Sequence, residues 1–215
     1  MSIWEKILFE GRSKFNGEIR VSENFGVRRL IAGANTQSQT LNSKGKTGHR
    51  YWDDMVPANV HLGPDSRSLI LGLGGGTTAQ IITRKFGPVA IDGVDIDPLM
   101  VEIGHKFLGM DLPNLNIIIE DAAHFIEDAR YKYDLICVDV FVAGDVPKEI
   151  ESEKFFSSVK KSLLPAGLCS INKIFSGKQE MVVFENLVRK VFPDVRSHVV
   201  RGDPTLDNVI VYARH

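Results

Sequence analysis

The residues most able to do chemistry in this sequence are three aspartates, each placed just after a short apolar run. Asp95 follows Val89–Val94, Asp121 follows Asn116–Ile119 by way of Glu120, and Asp139 follows Asp134–Val138. Ahead of them stands Gly72-Leu73-Gly74-Gly75-Gly76, directly after the apolar run that begins at Ser68. Glycines between a strand and a helix let the backbone turn sharply and approach a ligand, and the helix start offers free N–H groups. Gly72, Gly74, Gly75 and Gly76 are therefore candidate contacts. Asp95 falls twenty-three positions after Gly72, the separation expected between a glycine turn and an acid that accepts both ribose hydroxyls. Ile96 beside it joins the same candidate site. A dinucleotide fingerprint of the GxGxxG form would need glycine at 77, where the chain has Thr77, so a nucleoside fits better than a dinucleotide.

Each acid also has a plainer use. Asp97 before Pro98 is placed to cap a helix, because proline favours the first helical position. Asp121, with Ala122 after it, can accept from an adenine amino group, can cap the next helix, or can do both. Asp139 sits where open α/β sheets hold reacting groups, at the carboxyl end of a strand, or it serves a turn.

The elements that must position these residues fall into two parts. Residues 1–64 are expected to form a small β-rich appendage. Its strands lie at Glu18–Val21 and Val27–Ile31 after Asn-Gly-type turns, and a helix within His49–Val60 carries Tyr51, Trp52, Met55 and Val56. Residues 65–215 change rhythm. Five strand–helix units run from Ser68 to Val191, and two strands, Val195–Val200 and Asn208–Ala213, close the chain without a helix between them. Continuously apolar strands separated by helices imply a parallel sheet covered on both faces. The closing β hairpin makes this an α/β, Rossmann-like, seven-stranded sheet of methyltransferase type.

Composition narrows the partners. The chain has 215 residues and a formal net charge of -1, which argues against nucleic acid or an anionic membrane as the main partner. Arg28-Arg29 and Lys44–Arg50 are the only basic clusters, and both read as solvated loops. Cys137 and Cys169 lie inside apolar runs without metal-ligand spacing, so neither a disulfide framework nor a metal site is expected. The first residues carry charge and lack a signal-peptide core, and no apolar run is long enough to span a membrane. A cytoplasmic location is the expectation. His105 and His124 fall on helices as packed or solvated side chains, and His49 stands near the expected pocket mouth.

With these residues together, the chain resembles the spermidine synthase-like family within the class I S-adenosylmethionine-dependent methyltransferase superfamily. The resemblance runs through Gly17–Ile31, Thr36-Gln37-Ser38-Gln39, Tyr51–Met55, the glycine loop, Val94–Asp97, Glu120–Ala122, Asp139–Pro147 and the Leu164–Gly167 turn. It implies ribose binding by Asp95, adenine recognition by Asp121, a nucleoside contact from Gln37 and a reaction-site carboxylate at Asp139. It also implies S-adenosylmethionine or its decarboxylated form as cosubstrate, and a homodimer with the N-terminal strands in contact.

The chain departs from the family's polyamine synthases at several points. Their glycine-loop acid, which holds the donor's amine, is Gly75 here. Their Tyr-Gln before an acid and Met becomes Trp52-Asp53-Asp54-Met55. The loop after Asp139 is longer and reaches Asp145. The residues from Arg201 to Asn208 lack the aromatics of a polyamine tunnel. Trp52, Asp53 and Asp145 could line a different acceptor pocket. These departures set the expectation at methyl transfer to a small-molecule acceptor, with Asp139 as the catalytic group. The alternatives are aminopropyl transfer from decarboxylated S-adenosylmethionine to a polyamine, and non-catalytic nucleoside binding.

Overall fold

The computed structural model describes residues 5–48, 50–200 and 208–215. His49 and residues 201–207, singled out above, lie outside the described residues.

The N-terminal sheet is fully antiparallel. Its four strands are β1 (Lys6–Ser13), β2 (Gly17–Asn24), β3 (Val27–Ala32) and β4 (Asn35–Gln39), paired in sequence order. Only β2 and β3 were expected. β1 carries a register shift between Ile7 and Phe9, which breaks the alternation by which a strand is read. β4 is Asn-Thr-Gln-Ser-Gln and has no apolar face, because its side chains and backbone bond to the glycine loop instead.

The expected helix within His49–Val60 shrinks to α1 (Trp52–Met55). Pro57, two residues beyond it, cannot donate to a continuing helix and bars Val56 before it from a helical conformation (φ -121, ψ 72). What remains is held by burial, since Trp52 and Met55 are almost wholly enclosed.

Seven strands form the main sheet, in the order β10-β11-β9-β8-β5-β6-β7. They are β5 (Arg67–Leu71), β6 (Ala90–Asp95), β7 (Leu115–Ile119), β8 (Tyr133–Val138), β9 (Leu163–Ile174), β10 (Asp194–Val200) and β11 (Asn208–Arg214). The first five are parallel, whereas β11 and β10 are antiparallel. Helices α2 (Thr77–Phe86), α3 (Pro98–Leu108), α4 (Ala122–Glu127), α5 (Glu153–Ser162) and α6 (Lys178–Arg189) connect them. β9 begins earlier than expected. Leu163 pairs with Tyr133 and Leu168 with Leu135, so Pro165, Ala166 and Gly167 lie in a bulge rather than before the strand.

Chain order reverses between β5 and its neighbours. β6 lies on one side and β8 on the other. This switch point leaves a crevice at the carboxyl ends of the strands, where the loops diverge.

Both faces of the sheet are covered. Phe155, Phe156 and Phe184 from α5 and α6 pack on one face, and Trp52, Met55, Ile81 and Ile82 from α1 and α2 on the other. α3 faces two ways: Val101 joins the main core, while Met100, Ile103 and Leu108 pack against Ile19, Val21 and Leu30 of the small sheet. The antiparallel sheet is thus held over the switch point by an apolar interface.

Candidate active site

The glycine loop is shaped by what surrounds it. Gly72 adopts φ +88, and a Cβ there would lie 2.1 Å from the Asp139 carbonyl oxygen. Only glycine permits that approach. The Asp139 N–H donates to the Leu71 carbonyl at 2.8 Å, so the ends of β5 and β8 are joined by backbone alone.

The second half of the loop turns away from the crevice. The Gly75 N–H donates to Ser38 Oγ at 2.7 Å, and Ser38 Oγ donates to the Gln37 carbonyl. The Gly76 N–H donates to the Leu73 carbonyl. A Cβ on Gly75 would meet Leu108 at 2.4 Å, and one on Gly76 would meet Met110 at 2.4 Å. These two glycines were expected to touch the ligand, yet they pack against the end of α3 and bond within the protein. The same packing leaves no room for an acidic side chain at 75. Thr77 Oγ1 completes the join to the small sheet, donating to the Gln39 carbonyl and accepting from the Gln39 N–H.

An open crevice of about 860 Å³ lies over this switch point. Of the expected ligand contacts it brings together Gln37, Gly72, Gly74, Asp95, Ile96, Asp121 and Ala122, along with Trp52 and Asp139. Glu149, which sequence reasoning missed, also lines it. Its only precursor in the sequence was its place eleven residues from the end of β8. No Lys or Arg among the described residues lines this crevice, whereas four carboxylates do.

Each aspartate of the crevice is anchored locally. Asp95 Oδ2 accepts from the Gly74 N–H at 2.6 Å and Oδ1 from the Asp97 N–H at 2.9 Å. Burial raises its pKa, and those two amide bonds oppose the rise. Asp97 caps α3 by accepting from the Leu99 N–H. Its other oxygen accepts from Ser13 and Asn16 in the β1–β2 turn. Asp121 caps α4, and both capping bonds, from Ala123 and His124, fall on Oδ1. Its second oxygen takes no part in the cap.

Asp139 is bonded on both oxygens. Oδ2 accepts from the Tyr51 hydroxyl at 3.0 Å and Oδ1 from Asn172 Nδ2 at 2.8 Å. Burial pushes its pKa up to about 6, against the lowering effect of bonds from Asn172, Tyr51 and Trp52. Tyr51, buried beside that charge, has its pKa raised well above the usual phenol value and so remains a donor. Asn172 is oriented in turn by Asn208, whose Nδ2 donates to Asn172 Oδ1 at 2.9 Å. The Tyr51 and Asn172 contacts were not foreseen, because residues 51, 139, 172 and 208 meet only through the sheet topology.

Two expected acceptor contacts are elsewhere. Both oxygens of Asp53 take up hydrogen bonds from Thr47, which pins the loop before α1 and keeps Asp53 out of the crevice. Asp145 is exposed on a tight turn in which Val142 and Asp145 bridge, so it points no carboxylate into the crevice. His105 and His124 are exposed and paired with Asp111 and Glu120.

A second cleft of about 1650 Å³ adjoins the first across Gln37 and Phe141. Tyr51 and Asn172 form the wall between this cleft and Asp139. Among the described residues no helix is long and apolar enough to cross a membrane.

A parallel sheet with an antiparallel closing pair, a glycine turn at the switch point and acids at successive strand ends defines an α/β transferase fold of the class I methyltransferase type. Residues 54–213 match the spermine/spermidine synthase domain, and the chain belongs to that family. It is 30% identical over 208 residues to a polyamine aminopropyltransferase of Hydrogenobaculum sp., covering 88% of this chain and 69% of that one. It is 28% identical over 177 residues to a probable polyamine aminopropyl transferase of Bifidobacterium longum, covering 80% of this chain and 38% of the relative. The chain therefore spans well under half of that relative's length. The crystal structure of spermidine synthase from Thermotoga maritima superposes with a TM-score of 0.74 at 19% identity, over 98% of this chain and 73% of that one, which supports the fold.

The expectation of methyl transfer is overturned by these matches, since the family and the named relatives are aminopropyl transferases. Among the departures behind that expectation was the missing loop acid at Gly75. In this fold position 75 faces Leu108, and the crevice has an acid in Glu149 that the loop motif does not reveal.

Proposed function

We propose that this chain is an aminopropyltransferase that moves the aminopropyl group of decarboxylated S-adenosylmethionine to an amine. The observation that carries the reading is the charge of the first crevice: four carboxylates and no described Lys or Arg. The decarboxylated donor carries a sulfonium and an ammonium and no carboxylate. An acidic, cation-free site complements that pattern, and a donor that keeps its carboxylate would meet like charge.

In this reading Asp95 accepts from the ribose hydroxyls with a carboxylate already fixed by Gly74 and Asp97. Asp121 accepts from the adenine amino group through the oxygen its cap leaves unused. Gln37 reaches the nucleoside from β4, and Ile96 and Ala122 flank the base. Glu149 faces the donor's ammonium in place of a loop acid. Trp52 walls the reaction volume.

The reaction is a displacement at carbon. The acceptor nitrogen's lone pair forms the new N–C bond at the propyl carbon next to sulfur. The C–S bond breaks with its electron pair going to sulfur, so the sulfonium becomes the neutral thioether of 5′-methylthioadenosine. Asp139 takes the proton that the nitrogen loses. Alignment of the two reactants supplies much of the acceleration in such a step. A carboxylate whose pKa stands at about 6 is a stronger base than an ordinary one yet still mostly ionised at neutral pH.

The test is to supply decarboxylated S-adenosylmethionine and a panel of amines and to measure 5′-methylthioadenosine. Its amine-dependent release is the expected result. Release of S-adenosylhomocysteine from S-adenosylmethionine, with no 5′-methylthioadenosine from the decarboxylated donor, would overturn it.

A further inference from the structure

The second cleft has the opposite charge from the first. Arg29 of β3 and Arg50, just before α1, both line it, and no Asp or Glu among the described residues does. Its remaining polar lining is uncharged and includes Asn35, Gln37 and Gln39.

Two buried polar atoms on its wall make no hydrogen bond. One is Arg29 Nε and the other Gln39 Oε1. The two residues stand opposite each other in the β3–β4 ladder. Gln39 is almost fully enclosed at 2% exposure, and its amide nitrogen is already committed to the Thr47 carbonyl. A buried polar group without a partner costs about 1–3 kcal/mol, and Arg29, which lines the cleft with its Nε unpaired, is a donor that an anionic oxygen would satisfy.

A diamine acceptor carries positive charge at both ends. One end must reach Asp139, and the other would then lie among arginines with no carboxylate to meet it. Resting on the aminopropyl-transfer reading, we infer that the second cleft binds an acceptor amine whose far end is a carboxylate. The nucleophilic nitrogen lies toward Tyr51, Asn172 and Asp139, and the carboxylate lies toward Arg29, with Arg50 adding positive potential. A guanidinium matches a carboxylate in shape as well as charge. The covalent step is unchanged from the one given above.

The test compares two amines of equal chain length, γ-aminobutyrate and putrescine, which differ in one terminal group. Binding is measured by calorimetry on the full chain in the presence of 5′-methylthioadenosine, and turnover by 5′-methylthioadenosine release from the decarboxylated donor. Tighter binding of γ-aminobutyrate, weakened tenfold or more in Arg29→Gln and partly restored in Arg29→Lys, is the expected result. Thermal melts of both variants confirm that each folds. Preference for putrescine, or γ-aminobutyrate affinity indifferent to Arg29→Gln in a folded variant, overturns the inference. The two readings fail separately. If putrescine wins and 5′-methylthioadenosine is released, the acceptor inference falls and aminopropyl transfer stands. If γ-aminobutyrate binds through Arg29 and no amine releases 5′-methylthioadenosine, aminopropyl transfer falls and the carboxylate site stands.

Discussion

The two clefts that adjoin across Gln37 and Phe141 differ in charge, in construction and in how the chain encodes them. The donor crevice is acidic and built from loops that follow consecutive strands, so its residues appear in the sequence in the order strand, turn, helix. The second cleft is cationic, and its walls come from β3, β4, the segment before α1, β9 and β11. The difference means that one of two adjoining clefts can be fixed by local chain geometry while the other is assembled only by tertiary packing. It also separates two tasks. In the proposed reading the acids near the glycine turn hold and activate, and the distant polar residues select.

The sharpest way to break the comparison is at the shared carboxylate. Asp139→Asn should lower turnover about 100- to 10,000-fold and leave 5′-methylthioadenosine affinity nearly unchanged. Equal losses in both would make Asp139 a donor-binding residue. The same variant should be more stable than the parent at pH 8. Burial raises this carboxyl from 3.8 to about 6, so the folded chain holds the proton more tightly than the unfolded one. That favourable contribution is complete below about pH 4 and is lost as pH rises through 6. An amide is free of the penalty for a buried charge, worth about 1–3 kcal/mol, and the gain should vanish near pH 3 in denaturant titrations.

Gly72→Ala acts on the join between the ends of β5 and β8, under the first crevice. The positive φ and the overlap with the Asp139 carbonyl together should cost about 2–5 kcal/mol, seen as a large fall in melting temperature. Ser38→Ala lines neither cleft. It strands the buried Gly75 N–H at a cost of about 1–3 kcal/mol, and should weaken donor binding more than acceptor binding. The reverse order would tie the Ser38 contact to the second cleft rather than to the glycine turn.

A smaller effect separates Tyr51 from a mere wall. Activity requires ionised Asp139, so kcat should fall as pH drops through about 6. Tyr51→Phe removes a donor that favours the ionised form, so the midpoint of that fall should move upward. A purely structural role would lower kcat at every pH without moving the midpoint. Asn208→Ala should produce a weaker shift in the same direction, because it frees Asn172 to turn rather than removing it.

Much of the main sheet was legible because its strands are buried on both faces and its helices carry start and stop signals, such as Asp97-Pro98 and Gly109. The three aspartates of the first crevice were legible for the same reason, since each follows a strand. β4 was not, because its residues bond to the glycine loop and leave no apolar stripe. The helix around Trp52 was overestimated because an amphipathic run was followed past Pro57. Gly75 and Gly76 were placed on the ligand by motif alone, when the packing of Leu108 and Met110 decides their direction. Asn172 carried no local signal at all, Glu149 only its distance from β8, and Arg28-Arg29 read as a solvated loop although both lie on β3. Their meaning depends on which strands are neighbours, and spacing along the chain does not give that.

The contact between Gly72 and the Asp139 carbonyl has one more consequence. The register between Asp139 and the glycine turn is written in main-chain atoms, which no side-chain substitution can rescale. The residues of the second cleft are side chains on strands and loops that can be exchanged one at a time. A lineage built on this scaffold can therefore change its acceptor repeatedly while the reacting distance stays constant. New substrate ranges are most easily sought by varying Arg29, Asn35 and Gln39, with the glycine turn left as it is.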